Sequence, residues 1–240
     1  MIVRWRAVRE AARGPVVTHA LIAVCCVVFL LGPASGLNPA YGTGDALLAS
    51  GTAHFRRWGV VPDELFTGGA HTLLTPLTAL FVHGSWPHLL GNMLFLHVFG
   101  VMTEKRMGRP AFLLFYLCTG YLALAVYAAA NAESSQTLVG ASGSISAVLG
   151  AFLCLLPRAR VTSLFPFLFF LPLRFPAWIV LVFWFALQWV AAHRAASGPG
   201  VAYLAHLVGF SLGFLYAWAR YRRTTRVGRP ATATEGDSQP

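Results

Sequence analysis

The chain has 240 residues, of which 57% are hydrophobic and 11% charged, and its 18 Lys and Arg outweigh 8 Asp and Glu to give a net charge of +10. An ordinary water-soluble domain carries about 25% charged residues, and a surface so poor in charge could not face water on all sides. Composition therefore excludes a soluble globular fold and points to a chain immersed in lipid.

Residues 1–15 hold Arg4, Arg6, Arg9 and Arg13 and read as a basic cytoplasmic segment ahead of a first apolar run at 16–31. Ala34, Ser35 and Gly36 follow that run, as in a cleaved secretory signal. Removing it would upset the alternation of charged loops described below, so it reads as a membrane anchor. The stretch from Gly32 to Ser85 is the longest connection, with Phe55, Trp58, Phe66 and Leu73 among Gly, Pro and Thr. It is expected to dip into the outer membrane interface. Further apolar runs fall at about 86–102, 111–130, 141–156, about 176–192 and 201–219, near the roughly 20 residues that a helix needs to cross a bilayer. Between the fourth and fifth runs, 164–172 is apolar but interrupted by Pro166 and Pro172, and is expected to lie at the cytoplasmic interface. Residues 221–240 are basic, then rich in Thr, Ala and Gly, and read as a disordered cytoplasmic tail. Cys25, Cys26, Cys118 and Cys154 all fall inside apolar runs, with no C-x-x-C spacing, and read as small hydrophobes rather than a disulfide framework.

Six runs place the N-terminus, the second-to-third loop, the fourth-to-fifth loop and the C-terminus on one face. Those segments hold fifteen of the basic residues, including Lys105, Arg106, Arg109, Arg158, Arg160 and Arg174, and the opposite face holds three, Arg56, Arg57 and Arg194. Lys and Arg are retained on the cytoplasmic side. The expected fold is an all-α polytopic membrane protein, a six-transmembrane-helix bundle over 16–220 with both termini cytoplasmic. The net positive charge is then topological, set beside acidic headgroups, and no nucleic-acid partner is expected.

Two short pieces carry possible chemistry. Gly140-Ala141-Ser142-Gly143 opens the fourth run, and Ala205-His206-Leu207-Val208-Gly209 lies inside the sixth. A serine and a histidine are the minimum parts of a nucleophile and its base. Even-numbered runs start at the outer face, so Ser142, His206, His88 and Asn92 all fall within roughly 10 Å of that surface at about 1.5 Å per residue. His88 and Asn92 are four apart and project from one side of a helix. His206, Gly209 and Gly213 share a face, and Ser142, Ser146 and Gly150 form a second stripe of small residues. Packing the stripes together would bring the Ser142 hydroxyl towards the His206 ring. Each feature has another reading: small-x-x-x-small stripes are general packing devices, and an intramembrane histidine can serve a hydrogen bond between helices. Their conjunction at one depth favours catalysis. His97 is assigned to packing, His19, His54, His71 and His193 to interfaces, and Glu104-Lys105-Arg106 to structure.

These residues resemble the rhomboid family of intramembrane serine proteases over about Thr72 to Ala219. The matching pieces are His83-Gly-Ser-Trp-Pro-His88-Leu-Leu-Gly-Asn92, Glu104-Lys105-Arg106 with Gly108, Gly140-Ala-Ser142-Gly143, and Ala205-His206-x-x-Gly209-x-x-x-Gly213. The resemblance implies Ser142 as nucleophile and His206 as general base. It implies that His88, Asn92 and the main-chain N–H of Ser142 stabilise the oxyanion, and that Gly140, Gly143, Gly209 and Gly213 serve close helix packing. Two departures stand out. Leu74 and Thr75 occupy the positions of a tryptophan-arginine pair frequent in the first outer loop of the family. Ser146 stands where many members carry an aromatic against the histidine, so either the ring is held differently, with the Ser146 hydroxyl one candidate, or catalysis is weaker.

No Asp or Glu lies inside a span, which leaves a Ser-His dyad without a carboxylate to orient the base. No metal or cofactor is implied. The partners would be the lipid bilayer and transmembrane proteins cut near the outer end of a locally unwound helix. A catalytically inactive relative that binds or escorts membrane helices is the main alternative, and a lipid acyl hydrolase would use the same residues. A transporter would need buried charges or broken helices at mid-membrane. The preference for Arg over Lys leads to the expectation of a multi-pass protein of a bacterial plasma membrane.

Overall fold

The computed structural model describes residues 14–165, 171–194 and 202–221. The expected basic segment at 1–15, for all but its last two residues, and the expected tail at 221–240, for all but Tyr221, lie outside the described residues.

Each of the six apolar runs is helical. Helix α1 spans Val16–Leu31, the bounds of the first run. The Gly32–Ser85 connection is not a plain loop: it folds into α2 (Asp45–Trp58), the single turn α3 (Pro62–Leu65) and α4 (Ala70–Ala79). The second run forms α5 (Trp86–Phe95), a π turn (Leu96–Gly100) and α6 (Val101–Met107) without a break. Then follow α7 (Arg109–Ala130), α8 (Ser142–Leu155), α9 (Ala177–Arg194) and α10 (Tyr203–Tyr221). Helices α7 and α9 are each long and apolar enough to cross a bilayer, while α1 and α8 are apolar but shorter.

The all-α expectation needs one correction. Strands β1 (Arg160–Phe165) and β2 (Leu171–Pro176) pair antiparallel, from Arg160 opposite Pro176 to Phe165 opposite Leu171. Pro157 stops helical continuation after α8, and Pro172 lacks the N–H that a helix would use, so Arg160–Phe165 and Leu171–Pro176 pair their backbones with each other instead. Each strand of a two-stranded ribbon has one unpaired edge, where proline is tolerated.

Helix α8 is the axis of the bundle: every residue from Gly143 to Phe152 is buried. Small residues let α10 reach it closely. A Cβ on Gly209 would collide with the Gly143 carbonyl, one on Gly213 with the Ala147 carbonyl, and one on Gly150 with the Phe210 carbonyl. Helix α7 closes the other side, where the Ser144 hydroxyl donates to the Tyr116 carbonyl at 2.8 Å and Gly120 leaves room for it. Below, Phe99 meets Phe152 edge to face at 5.0 Å within the main apolar core.

Helix α1 is fastened at both ends. At its start the buried Glu104 carboxylate accepts from the Val17 N–H (3.0 Å), the Thr18 N–H (2.7 Å) and the Thr18 hydroxyl (2.6 Å). An acid there satisfies donors with no partner inside the helix and faces the positive end of its dipole. At its finish Phe29 packs edge to face on Trp86, whose indole N–H donates to the Ser35 carbonyl. The outward faces carry large exposed apolar side chains, among them Leu94 on α5, Leu114 on α7, Phe183 and Trp189 on α9 and Leu215 on α10. An exposed apolar surface spread over so many helices suits contact with lipid or another apolar partner.

Candidate active site

Ser142 is the first residue of α8 and half-buried. The loop before it is pinned twice: Leu138 and Val60 exchange both main-chain hydrogen bonds, at 2.7 and 2.9 Å, and the Gly140 N–H donates to the Ala79 carbonyl at 2.8 Å. Gly140 takes φ of 121°, a conformation that side chains resist. A Cβ at this position would also fall 2.7 Å from the His88 ring. Glycine is thus demanded twice at the residue that turns the chain into α8.

His206, the fourth residue of α10, is 8% exposed. Its Nε2 lies 2.9 Å from the Ser142 Oγ. The interlocked glycines of α8 and α10 set this distance, since neither helix can slide without driving a carbonyl into a Cα. Rings flank the imidazole: Trp184 of α9 at 6.1 Å and Tyr203 at 6.3 Å.

His88 and Asn92 sit on consecutive turns of α5 and face the Gly140 loop. The Asn92 Nδ2 is 3.6 Å from the position of a Gly140 Cβ, and this buried N–H₂ has no hydrogen-bond partner among the described residues. Ser85 caps the helix by accepting from the His88 N–H at 3.3 Å, and Pro87 costs nothing in the first turn, where no intrahelical acceptor exists. His88 also meets the ring of His83 at 5.2 Å. His83 lies in the loop before α5, and burial pushes its imidazole down to about 4, with the neighbouring His88 adding to the shift.

Ser142, His206, His88, Asn92, Gly140, Gly143 and Gly209 are therefore brought to one end of the bundle, with Gly213 one turn further along α10. Ser146 behaves differently from the expectation that it might hold the histidine. Its hydroxyl donates to the Ser142 carbonyl at 2.6 Å, the acceptor one turn back on its own helix. The residue that does meet the far side of the imidazole is Gln188 of α9, whose Oε1 is 2.8 Å from the His206 Nδ1. Sequence reasoning sought an acid and passed over it. The available signal was a lone amide in the otherwise apolar run Ala177–Ala192, since a polar group there needs a partner. His97, assigned to packing, stacks on His19 at 5.5 Å, well along the chain from the site.

What these elements define is a helical protein with an apolar exterior, in which a serine and an imidazole meet where two glycine-notched helices cross. A Rhomboid domain matches residues 70–223. The chain belongs to the rhomboid family. It is 30% identical over 162 residues to Rhomboid protein 1, mitochondrial, of Saccharomyces cerevisiae, covering 62% of this chain and 44% of that protein. It is 26% identical over 167 residues to RHOMBOID-like protein 6, mitochondrial, of Arabidopsis thaliana, covering 65% and 49%. A shorter match, 40% over 69 residues, is to Rhomboid-like protein 11, chloroplastic, of the same plant, covering 29% and 24%. The chain spans about half the length or less of these curated relatives. Their names are mitochondrial or chloroplastic and lend no support to the expected bacterial plasma membrane.

Proposed function

We propose that this protein is an intramembrane serine endopeptidase that cleaves transmembrane segments of other membrane proteins through Ser142 and His206. The observation that carries the reading is the 2.9 Å separation of Ser142 Oγ and His206 Nε2. In this reading six helical segments thread the bilayer with both termini on the cytoplasmic face, and the site opens near the outer face, where water can reach it. The bias of basic residues to one set of loops supports that orientation.

Attack begins when His206 Nε2 takes the hydroxyl proton as Ser142 Oγ bonds to the scissile carbonyl carbon. The carbonyl oxygen becomes an oxyanion, for which the unsatisfied Asn92 amide, the His88 ring and the Ser142 N–H are available donors. A single donor of this kind is worth about 3 kcal/mol in the transition state. The protonated His206 then delivers its proton to the leaving amine, and the same ring activates a water that releases the acyl group. The substrate helix must unwind where it is cut, since its peptide bonds are otherwise satisfied internally.

The test is cleavage of a reporter transmembrane substrate by purified protein in liposomes, together with labelling by a fluorophosphonate probe. Wild-type protein should cleave and be labelled at Ser142, and Ser142→Ala and His206→Ala should do neither while keeping the wild-type thermal midpoint. Folded wild-type protein that binds a membrane helix but neither cleaves nor labels would instead be an inactive helix-binding member of the family. Release of fatty acid without peptide cleavage would make it an acyl hydrolase.

A further inference from the structure

We propose that Gln188 is a positioning residue for His206: its side-chain carbonyl accepts from Nδ1–H, fixing the imidazole tautomer whose Nε2 lone pair faces Ser142. The inference rests on the reading of His206 as the base and supplies what the dyad lacks, a third group on the far side of the ring.

The two ring contacts constrain one another. Nε2 lies 2.9 Å from Ser142 Oγ and Nδ1 lies 2.8 Å from Gln188 Oε1. In a neutral imidazole one nitrogen carries the proton and the other a lone pair. If Nε2 accepts from the serine, Nδ1 must donate, and its partner must offer a lone pair, as the amide oxygen does. With the amide turned over, its N–H₂ would donate to Nδ1 and the proton would move to Nε2, where it would block acceptance from the hydroxyl. The orientation of one amide thus selects between a ring that can act as base and one that cannot.

Rotation of the ring is restrained as well. His206 is 8% exposed, with Trp184 and Tyr203 beside it, and an Nδ1–H swung away from Gln188 would give up the acceptor it has. The choice of an amide over an acid follows from the setting. Gln188 is half-buried on a helix whose neighbouring residues Leu187, Trp189 and Val190 are exposed apolar side chains, and an uncompensated carboxylate there would be costly. An amide supplies the acceptor without the charge. It stabilises the imidazolium formed during attack less than a carboxylate would, so its role is chiefly orientation.

The experiment uses full-length protein in detergent micelles with Gln188→Met, which keeps shape and removes the acceptor, and Gln188→Glu, which keeps the acceptor and adds charge. Thermal midpoints check that both are folded. The first readout is the tautomer of His206, from ¹⁵N resonances of selectively labelled histidine assigned by comparison with His206→Ala. Wild-type protein should show Nδ1 protonated and Nε2 unprotonated, and Gln188→Met should show a mixture. The second is the pH profile of Ser142 phosphonylation. Gln188→Met should react about 10- to 100-fold more slowly, short of the roughly 10⁴-fold lost with an orienting carboxylate. Gln188→Glu should recover most of the rate, with the acid limb of its profile moved to higher pH because the added negative charge favours the imidazolium. Wild-type protein with the proton on Nε2, or a folded Gln188→Met with an unchanged tautomer, would overturn the proposal. So would unchanged labelling in Gln188→Met where wild-type protein labels. If wild-type protein never labels Ser142 while the tautomer depends on Gln188, positioning stands and the protease reading falls.

Discussion

The α-carbon of Gly213 rests against the main-chain carbonyl of Ala147, with no room for a methyl group between them. Backbone meets backbone there, and neither partner can rotate away as a side-chain tip would. The contact lies two turns from His206 on the same helix, so the separation of α8 and α10 at Gly213 controls the distance between His206 and Ser142.

Gly213→Ala should therefore push the helices apart, lowering stability by about 1–3 kcal/mol, the usual cost of overpacking. It should also slow Ser142 phosphonylation by at least about 10-fold, since a hydrogen bond stretched much beyond its normal length is lost. A thermal melt and a labelling time course on the same preparation measure both. Wild-type behaviour in both assays would show that the helices tolerate the methyl group and that their close approach does not hold the site.

Much of this arrangement was legible because its signals are periodic. The apolar run at 16–31 and helix α1 share both ends, and the four-residue spacing of Gly209 and Gly213 marked the face that meets α8. Ser142 and His206 stood out by their short glycine-rich motifs, and their expected depth, which needs only the sense of each apolar run, joined them. What escaped depended on partners far away in sequence or on competition within reach. The strands Arg160–Phe165 and Leu171–Pro176 have no clean alternation and include prolines, so their backbone pairing left no trace in hydropathy. Helix α2 sits in a polar connection without a buried residue of its own, and the search for long apolar runs overlooked it. The Ser146 hydroxyl was a candidate partner for the histidine, but a carbonyl one turn back is always nearby and took the bond. Gln188 required knowing how far α9 leans towards α10, which no single-helix pattern contains.

Asn92 presents a buried donor with nothing to donate to among the described residues. Removing it should cost the folded state little, because no hydrogen bond is broken. If the amide meets the oxyanion, Asn92→Ala should reduce kcat by about 10²–10³ with KM little changed, the signature of a contact made only in the transition state. Steady-state kinetics on the reporter substrate, paired with a melt, separate this from misfolding. A raised KM with intact kcat would assign Asn92 to substrate binding instead.

Glu104 joins α6 to the first turn of α1 through three hydrogen bonds. Glu104→Ala would leave the N–H groups of Val17 and Thr18 without their acceptor, and orphaned buried donors are costly. The variant should lose on the order of 2–4 kcal/mol and expose the start of α1 to protease before the rest of the bundle melts. Glu104→Gln, which keeps an acceptor, should lose less. Limited proteolysis followed by N-terminal sequencing would locate the first cut, and a first cut elsewhere would show that this tether does not hold α1 to the bundle.

His83 gives the bundle a sensitivity to acid. Its imidazole is 1% exposed, and burial, reinforced by His88, holds it neutral down to about 4. An unfolded histidine takes up its proton near 6.5. Above that value neither state is protonated and stability is unaffected. As pH falls from 6.5 towards 4 the unfolded chain binds a proton that the native state refuses, so stability falls, and below about 4 both states bind it and the loss levels off. At pH 5 the loss is about 2 kcal/mol. His83→Gln cannot titrate: it should start less stable at pH 7.5, for loss of packing, yet fall less between pH 7.5 and pH 5. The half-buried His54, also shifted down by desolvation, contributes equally to both proteins and cancels in the difference. Parallel melts at the two pH values decide the point, since equal falls in both proteins would remove His83 as the source.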